Sequence, residues 1–431
     1  MSFRTKFALV ILSATLALYT VVGGWMSTRA QGQNDPDAQL RIFGSVLYHI
    51  QNEYVDEPDL TKVRAGALRG LAYGLDPYST YLTSDQVRQY RQPGGNNAVS
   101  IGAELSQYAS YLYVIAPVKG SPAEAAGVRA GDIIEYIDNK ATRDISLYDA
   151  KQLLQGAPGS EVKLRVIRLG ARPQVITVRR AAVRTPVAEA RMEADRIGVV
   201  RVNSLDEGEA KDVRARIVDL QKQGAQKIVL DLRNVAGGSL AEGVRVANLF
   251  IGDGALAQTI GRGSRTLKTF TAEANQVVFA GPVVAIIDRG TAGAAEAIAS
   301  AFIERKRGDV VGEKSFGAGT EQELFTLRGG DGLLLTTIKW ASSSGKTFLG
   351  SGVTPSVEVK RPELAEAIDP DELTGNDDDA VAQPNNAAGA NRETAPTTPE
   401  ATTPKPQDDV QLKKALEILR AKPAAPQQRA A

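Results

Sequence analysis

Cysteine is missing from this chain of 431 residues, and histidine occurs once. The first absence excludes a disulfide framework, a thiolate nucleophile and a cysteine-ligated metal site. The second leaves only His49, which lies within an amphipathic helical pattern of Leu40, Phe43, Leu47 and Ile50. That setting reads as structural and does not supply the base of a Ser-His-Asp triad. An excess of charge is lacking too. With 51 basic against 50 acidic residues there is no electrostatic footprint for nucleic acid, and no metal or cofactor is expected.

What is present points to several domains, because the chain exceeds the size to which a single core grows. Arg4 and Lys6 precede an uncharged run from Phe7 to Thr28, long for a signal-peptide core and about long enough to span a bilayer. Basic residues on the near side predict export of the remainder. Thr28-Arg29-Ala30 offers a cleavage site, so residues 1–30 read as a signal peptide or, the favoured reading, a single-pass membrane anchor. Residues 37–92 read as a helical region, where Asp76-Pro77 breaks one helix and Thr83-Ser84-Asp85 caps the next. Residues 363–407, rich in Pro, Ala, Thr, Asn and acidic side chains, bury too little apolar surface to fold and read as a disordered linker. A short helix at 408–421 puts Leu412, Ala415, Leu416 and Leu419 on one face.

Between these ends the pattern changes twice. Ser121-Pro122 opens a short helix that Gly127 ends, Gly131-Asp132 turns into a buried strand, and strands follow at Val162–Arg168 and Gln174–Arg179. From Thr185 strands and helices alternate: strand Ile197–Val202, helix Ala210–Lys222, strand Lys227–Leu232, helix Leu240–Phe250. Such alternation predicts helices packed on a mostly parallel sheet. Pro282 to Gln322 then reads as a buried strand (Val283–Asp288), a turn of tiny residues (Gly290–Ala294), a helix from Ala295 to about Lys306, a strand (Asp309–Gly312) and a glycine-flanked loop. A strand that feeds a helix through such a turn exposes unpaired backbone N–H groups, a natural seat for a nucleophile beside an oxyanion hole. Leu324–Leu327 and Leu333–Trp340 read as strands of a closing β-subdomain.

These stretches resemble the carboxyl-terminal processing (tail-specific) serine peptidases, which carry a PDZ domain inside a Ser-Lys protease. Leu75-Asp76-Pro77-Tyr78-Ser79-Thr80-Tyr81 matches the family's L-D-P-[HY]-S-x-Y, and Ser121 to Val128 with Gly131-Asp132-Ile133-Ile134 matches its PDZ domain. Asp231-Leu232-Arg233-Asn234-Val235-Ala236-Gly237-Gly238 matches D-L-R-x-N-x-G-G at both ends. The resemblance spans about Asp37 to Lys360 and implies a multidomain α/β fold. Its parts are a tail-specific-protease core at 184–362, mostly parallel sheet with helices plus a small β-subdomain, an inserted PDZ domain at 93–183 and the N-terminal helical region.

The family's nucleophile turn reads G-S-A-S-A-S-E around its middle serine, and a lysine in T-F-G-K-G with glutamine four residues later completes the site. Here the turn is Gly290-Thr291-Ala292-Gly293-Ala294-Ala295-Glu296, and the second motif is Ser315-Phe316-Gly317-Ala318-Gly319 followed by Gln322. Ala318 lies 25 residues after Gly293 (318 − 293), the family's spacing. Gly293 therefore holds the nucleophile position and Ala318 the base position, and Gln322 is retained. Removing the nucleophile of a serine protease costs on the order of 10⁶ in kcat.

The resemblance further implies oxyanion-type backbone N–H groups at Gly237, Gly238 and Ala294. It implies a peptide-carboxylate nest at Ser100, Ile101, Gly102 and Ala103 with Leu147 lining the groove, and Arg168 coupling the PDZ domain to the core. Three readings stand. The first is an inactive homologue that binds the C-terminal tails of exported polypeptides and regulates an active relative by pairing with it. The second is a working hydrolase with a relocated pair, Thr291 or Ser315 with Lys314. The third is a structural envelope protein. In the family the N-terminal region pairs subunits and the terminal helix often self-associates, so a homo-oligomer is implied, although the helix can instead dock on its own body. Together with the N-terminal segment, the resemblance implies a bacterial periplasm or cell envelope, inner-membrane anchored.

Overall fold

The computed structural model describes residues 36–92, 99–108, 110–143, 145–168, 171–361 and 408–423, with Ser13 and Thr15. The anchor or signal segment, the first residues of the expected PDZ domain (93–98) and the linker 363–407 lie outside them. No helix among the described residues is long and apolar enough to cross a membrane. Residues 1–68 and 69–431 form two units. In the first, helix α1 (Pro36–Glu53) leaves Leu40, Ile42, Val46 and Tyr48 more than half exposed, so its apolar residues are not core. Helix α2 (Leu60–Tyr73) starts where Asp59 accepts from the backbone N–H groups of Thr61 and Lys62.

The region expected to be helical also contains a strand. After Asp76-Pro77, strand β1 (Thr80–Leu82) pairs antiparallel with a strand some 250 residues later, before helix α3 (Ser84–Arg91) begins at a Thr83 and Gln86 capping box. The three-residue length of β1 and its helical flanks hid it; only its distant partner makes it a strand.

The PDZ domain follows as β2 (Ala103–Tyr108), β3 (Tyr111–Pro117), α4 (Pro122–Ala125), β4 (Ile133–Ile137), β5 (Lys140–Ala141), α5 (Leu147–Leu154), β6 (Glu161–Ile167) and β7 (Gln174–Arg179). The sheet runs β2-β3-β4-β6-β7, antiparallel throughout. Val162, Leu164 and Val166 alternate inward with charged residues outward along β6, as a half-buried strand requires. Ser121 caps α4 ahead of Pro122, as read from the sequence.

The peptidase-like core contains β8 (Glu189–Glu193), β9 (Ile197–Arg201), α6 (Glu209–Lys222), β10 (Lys227–Asp231), α7 (Leu240–Asn248), β11 (Ala255–Ile260), β12 (Thr266–Thr271), β13 (Val283–Ile287), α8 (Ala294–Glu304), β14 (Asp309–Gly312), β15 (Thr320–Thr326), β16 (Gly332–Ser342) and β17 (Val357–Glu358). Five strands of the sheet β17-β14-β13-β10-β9-β8 are parallel and β8 closes one edge antiparallel. A second, antiparallel sheet, β1-β16-β11-β12 with β15 on β16, is the β-subdomain, larger than Leu324–Trp340 alone indicated.

The parallel strands read as unbroken apolar runs because both faces are covered. Val283, Ala285 and Ile287 of β13, with Ile228 and Leu230 of β10, point into the core under α6, α7 and α8. Val284, Ile286, Val229, Val199 and Val311 point the other way, onto helix α9 (Val410–Ala421), through Ala415, Leu416 and Leu419. The terminal helix thus docks on its own body. Polar contacts fix its ends: Asp409 caps its first turn and binds Arg233 through both oxygens at 2.9 Å, and Lys227 Nζ donates to the Leu419 carbonyl at 2.7 Å. Burial alone would raise the Asp231 carboxyl, but Arg233 and Arg201 hold it down to about 2.

Because α9 completes the core, Leu419→Ala should lower the unfolding free energy in urea by about 2–4 kcal/mol. Lys413→Ala, on the exposed side, should change it by less than about 0.5 kcal/mol. Equal effects would mean that the helix is not packed on the sheet.

Candidate functional site

Strand β13 runs into helix α8 through Asp288 to Gly293. At its end Gly293 adopts φ 60° and ψ −114°, a sharp turn that an L-residue reaches only with about 1–3 kcal/mol of strain. A Cβ built there would sit 3.4 Å from Trp340 Cζ3 and 3.6 Å from the Ala236 carbonyl oxygen, so the position has room for a side chain but none is present.

Glu296, in the first turn of α8, is the hub of the site and is fully buried. One carboxylate oxygen accepts from the backbone N–H of Gly293 (2.7 Å) and of Ala318 (3.0 Å); the other accepts from the Gly317 N–H (2.8 Å) and the Ser315 hydroxyl (2.5 Å). The backbones of Gly293 and Ala318 are thus tied to one carboxylate. Burial pushes Glu296 up to about 7 against the pull of those donors.

Asp288, also fully buried, is the second hub. Its Oδ1 accepts from the backbone N–H groups of Asn234 and Gly290 and from the Thr291 hydroxyl, and its Oδ2 pairs with Arg361 at 2.9 Å. Backbone bonds stitch the same loops together: Ala292 N–H to the Val235 carbonyl and Phe316 N–H to the Thr291 carbonyl. Gly237 and Gly238 follow in the Asn234 loop. Gly238 has φ 96°, and a Cβ there would lie 2.2 Å from the Leu205 carbonyl, so only glycine fits. Glu104, aimed by a bulge in β2, lies against Gly237, and Ala294 opens α8 beside them.

The hydroxyls considered as replacement nucleophiles are committed elsewhere. Thr291 Oγ1 is buried, shares its one proton between the Leu232 carbonyl (2.9 Å) and Asp288 Oδ1 (3.2 Å), and accepts from the Asp288 N–H (3.0 Å). Ser315 Oγ is buried, donates to Glu296 and accepts from the Val353 N–H (2.7 Å), while Lys314 beside it is exposed. Gln322 stands in another network: its amide donates to Thr320 Oγ1 (2.7 Å) and Thr336 Oγ1 (3.2 Å), and Thr336 Oγ1 donates to Asp76. Asp76 also accepts from the Tyr78 and Ser79 N–H groups, so the Leu75–Tyr81 motif is tied to the glutamine that the sequence placed in the site.

In the PDZ domain Ser100, Ile101, Gly102 and Ala103 lead into β2, with Gly102 at φ 75°. Ile101, Leu147, Ala150 and Leu154 are all buried in one core cluster, so their apolar bodies serve packing. Arg168 makes a two-pronged salt bridge to buried Asp132, 2.7 Å from each nitrogen, and donates to the Gly127 carbonyl. All of these contacts stay inside the PDZ domain.

Sequence reasoning passed over Glu296, Asp288, Glu104 and Trp340. For Glu296 a signal existed: an acidic residue three positions after the turn residue that precedes a helix is the capping-box spacing. Glu104 and Trp340 reach the site from other elements and leave no local mark.

Residues 196–359 match peptidase family S41 and residues 113–168 match the PDZ domain. The carboxy-terminal-processing protease of Bartonella bacilliformis is 29% identical over 417 residues, 95% of this chain and 94% of that one. The carboxy-terminal processing protease CtpA of Bacillus subtilis is 29% identical over 83% of this chain and 78% of its own length. Among solved structures, the photosystem II D1 C-terminal processing protease superposes with a TM-score of 0.65 at 27% identity, covering 77% of this chain and 88% of that one.

A carboxyl raised to about 7 by burial is held more tightly by protons in the folded than in the unfolded chain. Its contribution to stability is therefore complete below about pH 4.5 and is lost as pH rises through about 7. Melting curves from pH 4.5 to 8 should show this loss in the wild type, and Glu296→Gln should remove it while lowering Tm throughout, because its amide meets N–H donors. Parallel pH profiles for the two proteins would refute the assignment.

Proposed function

From the matches to peptidase family S41 and to the PDZ domain we propose that this chain is a member of that family that binds the C-terminal tails of exported polypeptides without cutting them. The observation that carries this reading is the pair Gly293 and Ala318. Acyl transfer by this route needs a hydroxyl to attack and an amine of lowered pKa to take its proton, and these residues supply neither. The commitment of Thr291 and Ser315 to structural bonds, with Lys314 in solvent, argues against a relocated pair.

Tail binding rests on the PDZ domain, which takes a peptide as an added strand and its carboxylate in a backbone nest, here residues 100–103. The exposed apolar residues of α1 support self-association or pairing with an active relative, for which this chain would be a regulatory subunit. The N-terminal segment favours export to a periplasm or cell envelope with the anchor retained. A purely structural envelope role is the outcome if tails are not bound.

A fluorophosphonate probe should leave the purified protein unlabelled; stoichiometric labelling abolished by Thr291→Ala or Ser315→Ala would establish the relocated pair instead. Immobilised peptides with free apolar C-termini should retain the protein and their amidated forms should not, whereas equal passage through both would remove the PDZ reading. Gly293→Ser combined with Ala318→Lys should acquire probe labelling that neither single change produces, since the turn and its carboxylate hub are in place. Failure of the double variant to label while it melts like the wild type would show that more than two side chains has been lost.

A further inference from the structure

Strand β2 lies at the edge of the PDZ sheet, and the turn that leads into it has donors to spare. The backbone N–H groups of Ser100, Ile101 and Gly102 make no hydrogen bond among the described residues, and Gly102 is left-handed at φ 75°. Consecutive N–H groups on such a turn form a concavity for an anion, a chain-terminal carboxylate included. Along β2 the side chains then divide between two faces. Ala103 and Leu105 pack with the apolar cluster of the PDZ domain, while Glu104 and Ser106 point to the opposite face.

Glu104 stands where the β2–β3 register shifts, and a Cβ built on Gly237 of the core would lie 3.1 Å from its Oε1. Its carboxylate is partly buried and has neither a hydrogen bond nor an ion pair among the described residues. Ser106, the next residue on that face, is buried and bonded to Tyr78, so the crevice is accessible at Glu104 and closed beyond it. Burial pushes the Tyr78 phenol up to about 12, and Glu296, Glu104 and Asp76 add to the rise, which makes the mouth of the crevice acidic.

A tail held by its carboxylate at residues 100–102 and added antiparallel to β2 has its last residue beside Ala103 and its penultimate residue beside Glu104. Side-by-side residues of paired strands turn to the same face, so the last side chain joins the apolar face and the penultimate one meets the unpaired carboxylate. Opposite charges in that relation attract and like charges repel. We propose that Glu104 sets the tail specificity of this chain, selecting polypeptides with lysine or arginine as the penultimate residue before an apolar last residue. The inference rests on the tail-binding reading and adds to it the chemistry of the tail.

Fluorescence anisotropy on the purified full-length chain tests it with labelled peptides that differ only in ending Lys-Leu, Ala-Leu or Glu-Leu, each as free acid and as amide. The free acids should bind better than their amides. Among the free acids, the lysine peptide should bind about fivefold more tightly than the glutamate peptide, with alanine between, and added salt should narrow the gap. Glu104→Gln should bring the three to within about twofold of one another, and Glu104→Lys should favour glutamate. Because the Glu104 side chain bonds to no described residue, both variants should melt like the wild type. Free-acid binding that ignores the penultimate residue, or a lysine preference that survives both variants, would overturn the role of Glu104 and leave tail binding standing. Free acids bound no better than amides would overturn the tail-binding reading and this inference with it. If neither variant folds, the wild-type peptide series decides between these outcomes.

Discussion

One buried carboxylate organises the site. Glu296 lies in the first turn of α8 and draws toward itself the N–H groups of Gly293, Gly317 and Ala318 and the hydroxyl of Ser315. A carboxylate taken out of water must be met by donors, and here three of the four come from backbone whose position is thereby dictated. The Gly290–Ala294 turn and the Ser315–Gly319 loop are separated by a helix and a strand, and this group fixes their relation. Asp288 does the same for the Asn234 loop and the start of the turn. The geometry of these loops therefore does not depend on the side chains at 293 and 318, since backbone N–H groups carry the bonds.

That separation of scaffold from chemistry clarifies the functional reading. The groups that hold the loops are backbone amides, buried acids, glycines required by φ and the buried hydroxyls of Thr291 and Ser315. Gly293 occupies a conformation that strains any L-residue, so glycine relaxes the turn at the same time as it removes the hydroxyl. Ala318 enters an apolar contact with the PDZ sheet.

Much of the architecture was legible. The strand, turn, helix and strand from Val283 to Gly312 fall where the apolar runs and small residues placed them, since β13 and β14 are buried on both faces and α8 begins at the last tiny residue of the turn. The PDZ elements were legible from Ser121-Pro122, Gly127 and Gly131-Asp132 for the same local reasons. Strand β1 was not, because three residues after a proline carry no periodicity and only pairing with β16 defines them. Nor was the pairing of β8 and β12, which bear exposed polar residues, or of mostly buried β11, because all three depend on neighbours for their register.

By itself the sequence determined that position 293 carries no hydroxyl and position 318 no amine, because side-chain chemistry is fixed before folding. It also determined the alternation of buried strands and helices, because the periodicity of apolar residues is local. Tertiary structure alone decided that Glu296 joins Gly293 to Ala318, that α9 roofs the second face of the parallel sheet, and that the PDZ underside packs against Ala318. Each of these joins residues distant in the chain, and contacts of that kind are set by which surfaces remain apolar or unsatisfied after the local elements have formed.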